Sequence, residues 1–326
     1  MTLKKIAMEE HWESPEFTAT GDPKFIDELY FAEVQRRLKE VDQRVEDMDR
    51  CGIDISILSL TQPGIEGITN AKQAIEMAHK MNDHVANKLV TRHPRRLKAF
   101  ACVPLQDPEA AAQELERAVS QLGCVGALIN GYSNVGDENT AQYLDEPQVK
   151  PFWDRVDALK VPVYLHPRSP LPNQRRIYDG YAGLIGASWG FGVETATHSV
   201  RLMLSGLFDR YPDLTVILGH LGEGLTFTLP RLDHRLRHLK AVSHGPHKLP
   251  PTEYFRRNFY VTTAGIFRTQ ALVNALLELG SDRILFSVDY PYETMQEISS
   301  WFDSCPIGEI DRAKIGDANA RRLFRL

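Results

Sequence analysis

The sequence predicts an α/β protein of the (β/α)8 TIM-barrel class, and three observations carry that expectation. Eight short, β-rich apolar runs recur along the chain, helical patterns lie between them, and no G-x-G-x-x-G follows an early run. A doubly wound open sheet is the alternative, but its dinucleotide-binding form should show that glycine motif. Near-continuous apolar strands suit a parallel sheet covered on both faces.

The elements follow in order. KIAM (5–8) reads as the first strand and 34–51 as a helix; ISILSL (55–60) precedes a helical pattern over 71–92. LKAFACVPL (97–105) leads into the clearest helix, 107–123, with Asp107 as N-cap, Pro108 at the first helical position and Gly123 as the stop. Leu115, Ala118, Val119 and Leu122 share one face of it and should meet the sheet. CVGALI (124–129) pairs with a helix over 145–159, VPVYLH (161–166) with 196–209, and LTVILGH (214–220) with 223–240. FYVTTA (259–264) precedes 268–279, and ILFSVD (284–289) precedes 310–323. Segments 132–144 and 167–192 are long for βα connections and could cover a site, while HGPHKLPPT (244–252) reads as a surface loop. No linker or repeat divides the chain, so residues 1–326 are expected to form one domain.

Composition narrows the function. With 43% hydrophobic and 25% charged residues the chain can bury a large core, and a net charge of −5 gives no basic footprint for nucleic acid. No apolar run approaches the roughly 18 residues that span a bilayer, and the N-terminus lacks a signal-peptide core. Cys51, Cys102, Cys124 and Cys305 are scattered without C-x-x-C spacing. A cytoplasmic protein with reduced thiols is expected.

Barrel chemistry sits at the C-terminal strand ends. Those positions hold Glu9 and His11 after the first strand, Asn130 after the fourth, His166 after the fifth, His220 after the sixth and Asp289 after the eighth. Glu9, His11, His166 and Asp289 make a plausible nitrogen and oxygen set for one zinc or manganese ion. A polar barrel rim is the plainer reading. The fourth strand ends without a lysine that could be carbamylated to bridge two metals, which favours one. In GHLGEG (219–224), Glu223 lies three residues beyond His220. If a helix begins near Gly222, that carboxylate can reach back to fix the imidazole tautomer; otherwise Glu223 only favours a helix N-terminus. His234 and His238 stand i, i+4 apart, but Arg235, Arg237 and Lys240 around them suggest an exposed basic helix.

The stretches KIAMEEHW, GALINGYS, VPVYLHPRSPLP, GFGVETATHSVRLMLSGLFDRYP, VILGHLGEG and RILFSVDYPYE resemble the amidohydrolase superfamily. Within it they are most similar to the non-oxidative aromatic-acid decarboxylases, the γ-resorcylate (2,6-dihydroxybenzoate) group above all. The similarity runs from Lys5 to the closing KIGDANARRLF. It implies a metal-dependent barrel in which Glu9, His11, His166 and Asp289 hold one divalent ion, Mn2+ or Zn2+, without organic cofactor. It further implies His220 and Glu223 beside the substrate, Asp289 as proposed acid, and Phe25 and Asn130 as substrate contacts. Arg231 would correspond to an arginine entering a neighbouring subunit's site, in a homotetramer.

The reaction so implied protonates the ring carbon bearing the carboxylate of an ortho-hydroxybenzoate and then releases CO2. Asp289 would donate that proton, with His220 as rival carrier, and bicarbonate or CO2 would be the co-substrate in reverse. Two departures leave the substrate open. TTAGIF (262–267) replaces the TTSGNF or TTSGHF usual in the family, and DYPYE (289–293) replaces DWPFE. The second leans toward relatives acting on 2,3-dihydroxybenzoate, salicylate or 5-carboxyvanillate, whereas His11 and GALINGYS pull back toward 2,6-dihydroxybenzoate. A metal-dependent hydrolase on the same fold, and a non-catalytic binding barrel, are the competing expectations.

Overall fold

The computed structural model describes residues 4–17, 26–239 and 245–326. Eight parallel strands close into a barrel: β1 Lys5–Trp12, β2 Ile53–Leu60, β3 Leu97–Ala99, β4 Ala127–Asn130, β5 Val163–His166, β6 Val216–Leu218, β7 Phe259–Thr262 and β8 Ile284–Leu285. β1 to β3 form one ladder and β4 to β8 another. Single bridges, Ala101 to Ala127 and Glu10 to Tyr290, join the two at both seams. The barrel expected from the sequence is the fold observed.

Two apolar layers hold it. Ile6, Met8, Ile57, Leu128, Tyr164, Ile217 and Leu285 fill the interior, and Phe324 with Ala320 from the C-terminal helix plugs the lower end. A larger layer, including Met48, Leu115, Phe152 and Phe302, packs helices against the outside of the sheet. The helix Pro108–Leu122 starts as expected, with the Asp107 side chain accepting from the Ala110 amide and Gly123 closing it in left-handed conformation. Leu115 and Ala118 are buried there, and Val119 and Leu122 are half-buried.

Some expectations need correction. The expected helix 34–51 is two helices, Glu28–Lys39 and Val41–Cys51, because Glu40 leaves helical geometry between them. The segment read as a loop to residue 252 gives way to a helix at Pro251–Asn258, whose Pro251 occupies the favourable first turn. The helix that covers β8 is Met295–Ser304, not 310–323. Its Thr294 cap accepts from the Glu297 amide, and Met295, Ile298, Ser299 and Phe302 form the buried stripe. The segment 310–323 is broken by a π-turn at Lys314–Ala318 and lies under the barrel floor. No described helix is long and apolar enough to cross a membrane.

β1 contains the irregularity that positions the site. Its pairing with β2 slips between Ala7 and Glu10, where β1 carries one residue more than β2 across the same stretch. Ile6 and Met8 face the interior, yet beyond the bulge Glu9 and His11 face it and Glu10 turns outward. The Oγ of Ser287 fixes this bulge, accepting from the amides of Met8 at 3.2 Å and Glu9 at 2.7 Å. It also donates to Glu10 Oε1 at 3.2 Å.

Candidate metal centre

Four strand ends bring Glu9, His11, His166 and Asp289 together, with one donor atom of each lying within 4.8 Å of the others. Glu9 and His11 come from the upper half of β1, His166 is the last residue of β5, and Asp289 follows β8 at a φ of 78°. His166 Nε2 lies 3.3 Å from Glu9 Oε1, and His11 Nε2 lies 3.2 Å from Asp289 Oδ1. Gly219 lets the chain after β6 approach the cluster, since a Cβ there would stand 2.6 Å from Glu9 Oε2.

The cluster fits a cation. Glu9 Oε1 and His11 Nε2 are buried without a hydrogen-bond partner, and such stranded atoms are costly unless something else satisfies them. Two imidazoles and two carboxylates suit a divalent ion such as manganese or zinc. Burial pushes the His11 imidazole below its ordinary value, toward the neutral form that coordinates. Burial alone would raise both carboxyls. The nearby imidazoles reverse this, with His220 and His166 holding Glu9 low and His11 and His220 holding Asp289 low.

His220 and Glu223 occupy the expected place by an unexpected route. The right-handed helix begins at Leu225, so Glu223 lies in the turn before it. Residues 220 to 224 form a left-handed turn, with φ of 49° at His220, 52° at Leu221, 87° at Gly222 and 55° at Glu223. Three of these residues carry a Cβ, at a cost of about 1–2 kcal/mol each. The turn brings Glu223 Oε1 to 2.7 Å from His220 Nδ1, leaving Nε2 to face Asp289 Oδ2 at 3.5 Å. Burial opposes a charge on His220, but the carboxylates of Glu223 and Glu9 lift it well above the usual histidine range. Gly265 closes the far side, where a Cβ would meet His220 Cδ2 at 2.8 Å.

Asn130 ends β4 in register with His166 and is buried. Arg231 is exposed on the helix Leu225–Leu236 and makes no hydrogen bond or ion pair with these residues among the described ones. Phe25 lies outside the described residues. His234, near the end of that helix, and His238, just beyond it, are both exposed, with their rings edge to face at 5.4 Å.

Sequence reasoning missed the supporting residues. The Tyr164 hydroxyl donates to Glu9 Oε2 and lies 3.1 Å from Thr262 Oγ1. The signal was available, because alternation puts Tyr164 on the same face as His166. Ser59, opposite His11 in the ladder, places its Oγ 3.2 Å from His11 Nδ1. The Tyr292 ring lies 5.5 Å from that of His11, and its hydroxyl is 2.6 Å from Thr61 Oγ1.

The family model described as Amidohydrolase matches residues 16–326. The gamma-resorcylate decarboxylase of Rhizobium radiobacter is 50% identical over 323 residues, covering 99% of this chain and 98% of that protein. A crystal structure of a 2,6-dihydroxybenzoate decarboxylase complexed with 2,6-dihydroxybenzoate superimposes with a TM-score of 0.96 at 49% identity, covering both chains fully (100%). A dihydroxybenzoic acid decarboxylase from Polaromonas sp. JS666, with bound manganese and the inhibitor 2-nitroresorcinol, gives a TM-score of 0.95 at 48% identity. It covers 99% of this chain and 97% of the other.

Proposed function

Since the chain belongs to the amidohydrolase family, we propose that it is a carbon-carbon lyase that decarboxylates 2,6-dihydroxybenzoate to resorcinol and CO2. One observation carries the reading: the Glu9, His11, His166 and Asp289 cluster stands beside the His220–Glu223 pair in a chain half identical to enzymes of that activity. Glu9, His11, His166 and Asp289 would hold the cation. When bound, a divalent cation supplies a Lewis-acidic anchor for adjacent oxygens of the acid.

The chain's own residues supply the proton. Decarboxylation without prior protonation would leave an aryl carbanion, so the ring carbon bearing the carboxylate must be protonated first. Asp289, held ionised at rest, takes a proton from His220, whose Nε2 lies 3.5 Å from Oδ2, and passes it to the ring carbon. Glu223 holds His220 by Nδ1, so the other nitrogen keeps facing the acid. CO2 then leaves as the ring regains aromaticity, and the reverse reaction takes CO2 or bicarbonate. Asn130 contacts a ring oxygen.

The working form is a homotetramer. Ile177, Trp189 and Phe227 are 82%, 62% and 80% exposed in the single chain, and apolar side chains of this size favour a cover. Arg231 lies one helical turn beyond Phe227 and would reach a neighbour's site from that face. The four cysteines are unpaired and buried, which fits the cytoplasm.

The test follows the ultraviolet spectrum of 2,6-dihydroxybenzoate with purified protein, then after chelation, then with manganese or zinc restored. Conversion to resorcinol that disappears on chelation and returns with metal is expected. A metal-loaded sample that releases no CO2 from this acid would refute the assignment.

A further inference from the structure

Beside the metal cluster lies a buried carboxyl that the mechanism does not use. Glu66 sits in the connection after β2, fully buried, and its Oε2 accepts from Asn130 Nδ2 at 3.3 Å. Glu66 Oε1 and Asn130 Oδ1 have no partner, although both side chains are buried. The backbone pins the pair from one side, because a Cβ at Gly64 would stand 2.4 Å from both Asn130 Nδ2 and Glu66 Oε2.

The direction of the free amide oxygen follows from the ladder. Leu128 and Tyr164 are paired across β4 and β5 and both line the interior, so Asn130 and His166, two residues on, share that face. With Nδ2 held by Glu66, Asn130 presents an acceptor beside a metal ligand. Burial raises the Glu66 carboxyl, and Arg168, which donates to the Glu66 carbonyl at 3.2 Å, is the charge that offsets it.

We propose that Glu66 is a positioning residue, turning the Asn130 carboxamide so that its oxygen accepts from the ortho ring hydroxyl that lies farther from the Glu9, His11, His166 and Asp289 cluster. The proposal rests on the decarboxylase reading. It makes the second ortho hydroxyl of 2,6-dihydroxybenzoate the group recognised. 2-Hydroxybenzoate keeps the carboxylate and one ortho hydroxyl but would strand the amide oxygen. One hydrogen bond and one unsatisfied acceptor correspond to a preference of about ten- to hundredfold in KM.

The test compares KM and kcat for the two acids, with manganese-loaded wild type, Glu66→Gln, Glu66→Met, Asn130→Ala and the Glu66→Met/Asn130→Ala double variant. Glu66→Met keeps the length of the side chain and loses the acceptor. It should cut the KM preference to within about threefold of unity, with kcat changed far less, whereas Glu66→Gln keeps an oxygen there and restores the preference. Asn130→Ala should lose the preference to the same extent, and the double variant should lose no more, because Glu66 acts through Asn130. A Glu66→Met enzyme that discriminates like wild type overturns the proposal while leaving the decarboxylase standing. It would mark Glu66 as the counter-charge of Arg168, a role that lowers thermal stability in Glu66→Gln without moving the KM ratio. Should Glu66→Met fail to fold, unchanged discrimination in Asn130→Ala overturns the proposal equally. Wild type that releases CO2 from neither acid removes the decarboxylase and the proposal together.

Discussion

Replacing Ser287 by alanine should unsettle the metal site without touching a ligand. Ser287 Oγ accepts from the amides of Met8 and Glu9 at 3.2 and 2.7 Å, so the variant strands two buried backbone donors. A stranded buried donor costs about 1–3 kcal/mol, and the longer bond counts for less, giving about 2–4 kcal/mol for the pair. At about 2.1 cal/mol/K of unfolding entropy per residue, a chain of 326 residues loses about 3–6 °C of Tm for that change. The bulge also aims Glu9 and His11 inward, so metal affinity should fall by about 10–100-fold, as when other residues that orient ligands are removed. Scanning calorimetry of metal-free protein and competition against a chelator measure the two effects separately. A Tm within about 1 °C of wild type together with unchanged metal affinity would show that Ser287 does not hold the bulge.

Three further outcomes are expected. Asp289→Asn should abolish turnover, and near-normal CO2 release from that variant would remove Asp289 as acid. Glu223→Gln should slow turnover by about 10–100-fold by loosening His220; an unchanged rate would leave Glu223 with only its place in the turn. His198 accepts from the Leu144 amide, and burial pushes its imidazole down to about 3. Its folded value lies below the unfolded one near 6.5, so its contribution is fully present above about pH 6.5 and is lost as pH falls toward 3. The stability difference between wild type and His198→Gln should therefore shrink by up to a few kcal/mol between about pH 7 and 4. Parallel pH profiles in urea unfolding would contradict this.

Much of the barrel was legible because β-rich runs and amphipathic helices alternate along the chain. Where that pattern is weak, reading failed. Met295–Ser304 was missed although Thr294 and Glu297 form a readable cap, because 310–323 offered a longer helical pattern to complete the count. The ligands were legible from their places at strand ends, and Glu9 and His11 from their i, i+2 spacing. Their supports were not. Tyr164 looked like one more apolar strand residue, and Glu66 sits in a connection with no periodicity to place it. The left-handed turn at 220 to 224 defeats local reasoning outright, since Leu221 and Glu223 have no preference for such a backbone.

The extra residue in β1 has a practical meaning for redesign. Below it the strand obeys the packing demands of the barrel floor, where Ile6 and Met8 meet Leu128 and Tyr164. Above it the strand obeys the geometry of a cation. The slip acts as a coupling that lets each half keep its own alignment. Repacking around Ile6 and Met8 should therefore be tolerated without re-aiming Glu9 and His11. Strict alternation carried on from Ile6 and Met8 would instead point Glu9 and His11 out of the barrel and Glu10 into it, leaving a well-formed barrel with nothing to bind.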